Sequence, residues 1–432
     1  VTLSPSDDGA IAGLAYSLSM RGLHAIKEKK IKAAIIDLQK AQTLCPDAWE
    51  IAYNLGNAHL KSDNYSMAQL QYEKAKELNG DTVDLHCNLG IALERLGLFS
   101  QSIQSYENAL NLNSGSHAAS YNKALLLLKL GKYKQGFKLY EHRWETKEFA
   151  KIKRKLSAPL WLGREDLKNK TILCHAEQGL GDTIQFLRFC YLFNTKTTKV
   201  FVQCHSSLIG VAQSMNIVAE YFEMDATLPD YDFHCPLMSL PRAFHYCPEQ
   251  VSIRNQYFFA CDQKKIIWDH MLGVRNKPRI GLVIEGKESH VHNHFRSIDA
   301  AGLVDVLPDG ADYFLLQKQL SPKSQELLIN RPDVRGLSSQ LNDFSDTAAA
   351  CANMDLIISV DTAVAHLSGA LGCPTVVLLH YQSDWRWGLN TMNSHWYSNM
   401  NLIRLKRDNQ WPTIYDKIKA EIEKVCNAFP LS

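Results

Sequence analysis

The sequence predicts an α plus α/β chain: an all-α helical repeat array in its first third, followed by two Rossmann-like lobes. Three observations predict this. Small residues recur at a fixed 34-residue interval at Gly22, Gly56, Gly90 and Ala124. A β-prone run, a glycine turn and a helical stretch follow one another from Thr171 to Phe193. A second strand, turn, helix and strand run from Asp355 to Leu379, and such units build parallel sheets with helices on their faces.

The interval is that of tetratricopeptide repeats. The same 34-residue spacing relates Leu38, Tyr72, Tyr106 and Tyr140, and it relates Ala41, Ala75 and Ala109, where Arg143 breaks the series. Within each unit the small residue lets one helix approach the next, and the bulky residue and the Ala fill the contact with the following repeat. The segments WEIAYNLGNAHLKSDNYSMAQLQYEKAKEL and VDLHCNLGIALERLGLFSQSIQSYENALNL resemble tetratricopeptide repeats closely. Four units are expected between Ala15 and Ala150, the outer two less regular: Lys29 replaces a small turn residue, and Lys123 and Gly136 are unusual in the fourth. Such an array either supports the rest of the chain and mediates self-association, or offers a concave groove to a polypeptide or other acceptor. The expected domains are the repeats at 1–150, a first lobe at 151–270 and a second at 271–432, with a connector containing Pro159 and Trp161 from Lys147 to Lys170.

Composition narrows the function. Lys and Arg number 47 against 45 for Asp and Glu, and the net charge of +2 supplies no electrostatic reason to expect nucleic acid or an anionic membrane as the main partner. The opening residues lack a basic stretch followed by an apolar one, and no segment approaches the roughly 18 apolar residues of a membrane span. The 11 cysteines are scattered without a Cys-x-x-Cys pair, which suits reduced thiols. A soluble, cytoplasmic chain is expected.

In the first α/β unit, Thr171–His175 reads as a strand and Glu177–Thr183 as a glycine turn that places Asp182 or Thr183 where an N-cap belongs. An Asp in such a turn caps a helix in most proteins, so this motif alone is weak. In the second unit, Asp355–Val360 reads as a buried strand, Asp361-Thr362-Ala363 turns into a helix, and Gly372 and Pro374 stop it. The start of that helix suits a diphosphate. Upstream, the strand Arg279–Ile284 runs into a loop from Glu285 to Arg296. No metal site is expected: nothing nearby completes a ligand set with His290, His292 and His294, and Asp230 and Asp232 read as a turn.

The stretches LCHAEQGLGDTIQFLRF, DFHCPLMSLPRAF, RIGLVIEG with FRSI, DLIISVDTAVAHLSGALGCPTVVLL, SDWRWG and HWYSNMNLIR resemble bacterial tetratricopeptide-repeat glycosyltransferases. The C-terminal part is similar to the lipopolysaccharide heptosyltransferases, which have the glycosyltransferase B fold. The resemblance implies two lobes facing a cleft, an inverting and metal-independent transfer, and a nucleotide-diphosphate sugar as donor, held mainly by the second lobe with no further cofactor. It places the general base on Asp182 and donor contacts on Asp361, Thr362 and His366, with Ala363 where relatives have Gly. Arg296 stands as the phosphate-binding cation, and Gly181, Lys287 and Gln317 complete the candidate donor set. Two other readings stay open, a solvated surface arginine for Arg296 and a satisfied core histidine for His366. The expected acceptor is a protein or glycan, and homo-oligomerisation is left open. After the RIGLV strand the chain departs from its relatives with Ile284, Glu285, Gly286, Lys287 and Glu288. A carboxylate facing a diphosphate is repulsive unless Lys287 or Arg296 compensates, so a scaffold that only binds a sugar nucleotide or a partner is the rival reading.

Overall fold

The computed structural model describes residues 8–286, 297, 298, 300–407 and 409–430. The chain divides into two compact units. One runs through Leu128 and includes Lys138–Ile152, and the other joins Lys129–Phe137 to the residues from Lys153 onward.

The first unit is built of helix pairs: α1 (Asp8–Lys27) with α2 (Ile31–Leu44), α3 (Trp49–Lys61) with α4 (Tyr65–Glu77), and α5 (Val83–Arg95) with α6 (Phe99–Leu112). Next come α7 (His117–Lys129) and α8 (Tyr133–Tyr140), whose residues are shared between the units. The periodic small residues do what their spacing predicts. A Cβ on Gly22 would stand 2.7 Å from Leu38, one on Gly56 2.6 Å from Tyr72, and one on Gly90 2.5 Å from Tyr106. No Cβ fits at those distances, so glycine is what lets each bulky side chain of the second helix lie on the first. Ala41, Ala75 and Ala109 are fully buried at the next layer. Arg143 breaks the alanine column because α8 ends at Tyr140: the arginine lies in a 3₁₀ segment, buried between the Tyr140 and Trp144 rings and paired with Glu141 at 3.0 Å.

A second column marks the turns within repeats. Lys29, Asp63, Gly97 and Gly131, again 34 residues apart, all have positive φ, at 58°, 58°, 80° and 74°. This left-handed conformation suits glycine and strains other residues. Lys29→Gly is therefore expected to stabilise the first repeat by a few tenths of a kcal/mol, and Gly97→Ala to destabilise the third by about 1 kcal/mol. Urea denaturation of the two variants checks this, and a shift of the same sign in both would refute the argument.

Among the described residues, the second unit holds two sheets whose named strands all pair in parallel. The first contains β1 (Thr171–His175), followed by α9 (Leu180–Leu187), β2 (Lys199–Cys204), α10 (Ser206–Ala212), β3 (Glu220–Glu223), β4 (Phe233–Pro236) and the short α11 (Leu240–Ala243). Its strand order is β3-β2-β1-β4. The connector extends this sheet: Leu160 bridges His234 in parallel, while Trp161 packs on Phe193 and Phe244. Asp232 ends the preceding turn by accepting from the Thr171 N–H at 2.8 Å, and that bond, with Lys170, holds its carboxyl below the usual range.

After α12 (Asp262–Leu272) come β5 (Arg279–Val283), α13 (Ala300–Val304), β6 (Asp312–Leu315), α14 (Pro322–Asn330), β7 (Val334–Gly336) and α15 (Phe344–Ala352). The chain then forms β8 (Leu356–Val360), α16 (Ala363–Leu371), β9 (Thr375–Leu379), β10 (Met400–Arg404) and α17 (Tyr415–Ala428). The order is β10-β9-β8-β5-β6-β7. Every residue of β5, β8 and β9 is buried, as strands covered on both faces require. Ile280, Leu282, Ile358, Val360, Val376 and Leu378 form the centre of one core. The cysteines are all free thiols, and no helix among the described residues is long and apolar enough to cross a membrane.

Candidate functional site

Two helix starts, one from each sheet, meet in the second unit. The loop after β1 bends at Gly179, which is extended and serves as the N-cap of α9. Asp182 is not the cap that its motif suggested but the third helical residue. Its Oδ2 reaches back to accept from the Gly179 N–H at 3.0 Å, satisfying one of the orphan donors of the helix start. Gly181, one residue earlier, lies against α16. A Cβ there would stand 2.9 Å from the His366 ring and 3.5 Å from the Ala363 Cα. The absence of a side chain at Gly181 is what permits the two helices to touch.

On the opposite side β8 ends at Val360, and Thr362 caps α16 in an extended conformation, with Ala363 as the first helical residue. The Thr362 hydroxyl is 3.2 Å from that of Ser359, and Asp361 is buried at the turn. Gly372, at φ 77°, stops the helix as its motif predicts. His366 is buried, stacked on Trp387 with ring centroids 5.0 Å apart, and its Nδ1 lies 3.0 Å from the Tyr397 hydroxyl. The histidine thus lines the seam between α9 and α16 while being held by the second lobe.

An ion pair closes the same seam. Arg386 Nη2 is 2.5 Å from Asp182 Oδ1, with the arginine side chain only 9% exposed and the aspartate 24%. Arg386 also bonds Asp384 at 2.8 Å, and its guanidinium lies over the Trp385 ring at 4.5 Å. Both oxygens of the candidate base are therefore engaged. Arg188, just after α9, makes a second link: it is fully buried, its guanidinium 4.6 Å from the Tyr257 centroid and 4.4 Å from that of Tyr397, and it donates to the Trp396 carbonyl. Neither arginine was singled out by sequence reasoning, although the aromatic-rich SDWRWG stretch around Arg386 was a visible signal.

The remaining candidates are spread out. Gln317 is buried, and its Oε1 accepts from the Ile284 N–H at 2.7 Å, bracing the ends of β5 and β6. Glu285 turns toward α14, where its Oε1 accepts from the Ser321 N–H at 2.9 Å and the Ser324 hydroxyl at 2.7 Å. Placed at a helix N-terminus, that carboxylate is stabilised rather than repelled. Lys287, Arg296 and the three loop histidines lie outside the described residues.

Comparison with known proteins bears mainly on the array. The tetratricopeptide-repeat family model matches residues 50–82 and 83–115, so these units are tetratricopeptide repeats, followed by a region of parallel sheets and helices. Protein FlbA of Caulobacter vibrioides is 23% identical over 287 residues, covering 59% of this chain and 46% of that protein, so the chain matches less than half of its relative's length. Similar solved structures include MamA, with 23% identity, 32% of this chain and 80% of that one covered, and a TM-score of 0.29. The second tetratricopeptide domain of human RPAP3, solved with an HSP70 peptide, is 23% identical, with 28% and 97% covered and a TM-score of 0.26.

Proposed function

We propose that the second unit is an inverting, metal-independent glycosyltransferase of the B-fold type that moves a sugar from a nucleotide-diphosphate sugar to an acceptor hydroxyl, the repeats holding a protein or glycan acceptor. The observation that carries this reading is the convergence of two helix starts at the carboxyl edges of two parallel sheets. Gly181 and Asp182 come from one sheet, and Thr362, Ala363 and His366 from the other. Ligands of open α/β sheets sit at such edges, and the first N–H groups of α16 suit a diphosphate. Asp182 would take the acceptor proton as the oxygen attacks the anomeric carbon, and those N–H groups, with Arg296, would stabilise the leaving diphosphate. This requires Asp182 to leave Arg386 when substrates bind.

The same ion pair favours a second reading, a scaffold that binds sugar nucleotide without turnover, in which Asp182 and Arg386 fasten the lobes together. Calorimetry with nucleoside diphosphates and nucleotide sugars in EDTA tests the shared premise. Binding that survives chelation is expected, and binding that disappears and returns with manganese or magnesium overturns the metal-independent mechanism. Turnover with a competent acceptor separates the enzyme from the scaffold.

A further inference from the structure

Three neighbouring strands of the first sheet bring polar side chains together among mainly apolar residues. His175 closes β1, Gln203 is paired with it in register on β2, and His234 lies on β4 at its other side. His175 Nε2 is 3.1 Å from His234 Nδ1, and the ring centroids are 5.3 Å apart. A hydrogen bond between two imidazole nitrogens needs one N–H and one lone pair, so at least one ring of the pair is neutral. Burial, and then the nearby Arg154 charge, keep His234 below its usual range.

Gln203 is fully buried, and its amide nitrogen donates to the carbonyls of Glu223 and Met224 at 3.0 and 3.1 Å. That fixes its oxygen toward Arg154, whose Nη1 donates to it. Arg154 has no carboxylate within ion-pair distance among the described residues. A half-buried guanidinium is thus anchored through one nitrogen by a buried amide, with further donors of its planar fork to offer. His175 and Gln203 lie at the carboxyl ends of β1 and β2, and ligands of parallel sheets bind at such ends.

We propose that this edge is an oxyanion subsite, in which Arg154 and the His175–His234 pair receive a phosphate or carboxylate group of the acceptor. The proposal deepens the glycosyltransferase reading by giving the acceptor a charge, and it rests on that reading only in assigning the anion to the acceptor. The arginine fork supplies paired N–H donors to the anion oxygens, and an imidazole N–H supplies a third.

The full chain with ¹⁵N-labelled histidine is titrated with inorganic phosphate and, separately, with acetate, while the His175 and His234 ring signals are followed. A phosphate held by the second lobe would leave those two rings unmoved. Saturable shifts of both signals are expected, and the tighter anion names the acceptor group. Arg154→Gln should weaken the binding by about tenfold or more, whereas Arg164→Gln, at an exposed site on the same connector, should leave it unchanged. Should Arg154→Gln not fold, Arg154→Lys, which keeps the charge and loses the fork, is expected to weaken phosphate by several-fold. Rings that do not move with either anion, or that move equally in the Arg154 variant, overturn the proposal. Nucleoside-diphosphate binding is read on the same samples: its loss in the wild type removes the glycosyltransferase reading and leaves the anion subsite standing.

Discussion

Asp182→Asn is expected to lower glycosyl transfer by about 10² to 10⁴-fold while nucleoside-diphosphate affinity stays within a few-fold. An amide cannot accept the acceptor proton, whereas the diphosphate is proposed to lie at α16 in the other lobe. The structure adds a stability component. The amide oxygen can keep the bond from the Gly179 N–H, but the charge opposite Arg386 is lost. Arg386 retains Asp384 at 2.8 Å, so the expected loss is about 1 kcal/mol rather than that of an orphaned buried cation. Three measurements on one variant decide between the readings. Turnover near wild type makes Asp182 a structural residue and leaves the base elsewhere. A collapse in melting temperature together with lost binding makes the Asp182–Arg386 pair a fastener of the fold, as the scaffold reading requires.

Arg188→Ala is expected to be the most destabilising single change in the second unit, at about 3 to 5 kcal/mol. It empties a fully buried volume among Tyr257, Trp396 and Tyr397 and leaves the Trp396 carbonyl without its donor. Arg188→Met should recover most of that, to a loss of about 1 to 2 kcal/mol, because the thioether refills the space and no buried charge needs compensation. Urea denaturation followed by tryptophan fluorescence checks the order. Equal effects of the two substitutions would show that the guanidinium hydrogen bonds, not the filled volume, carry the stability.

The array was legible because one packing contact is written repeatedly: each glycine-to-bulky pair samples the same local rule, 16 residues apart within the chain, as in Gly56 with Tyr72. Strands β1 and β9 fall on the residues their apolar runs mark, and Gly372 stops α16 where its left-handed φ is needed. The site was less legible. Asp182 as cap and Asp182 as third helical residue differ by a backbone bend at Gly179 that residue types leave open. The Arg188 contact to Trp396 spans 208 positions, and no periodicity reports such a pair. Glu285 read as a repulsive carboxylate because its partners, Ser321 and Ser324, come from a helix more than 30 residues away.

The residues around α8 bear on how this protein can be dissected. Lys129–Phe137 are numbered among the repeats yet belong to the second unit, where the Tyr133 ring meets Trp396 at 5.4 Å and the Phe137 ring meets Trp385 at 5.8 Å and Phe186 at 6.2 Å. A fragment begun at Lys147, after the last repeat, would lose both rings and bare an aromatic surface to water. A fragment begun at Lys170 would in addition strip Leu160 from β4, opening a raw strand edge that invites intermolecular pairing. Poor solubility of such fragments would then report the place of the cut rather than any dependence of chemistry on the repeats, and a usable boundary lies ahead of Lys129.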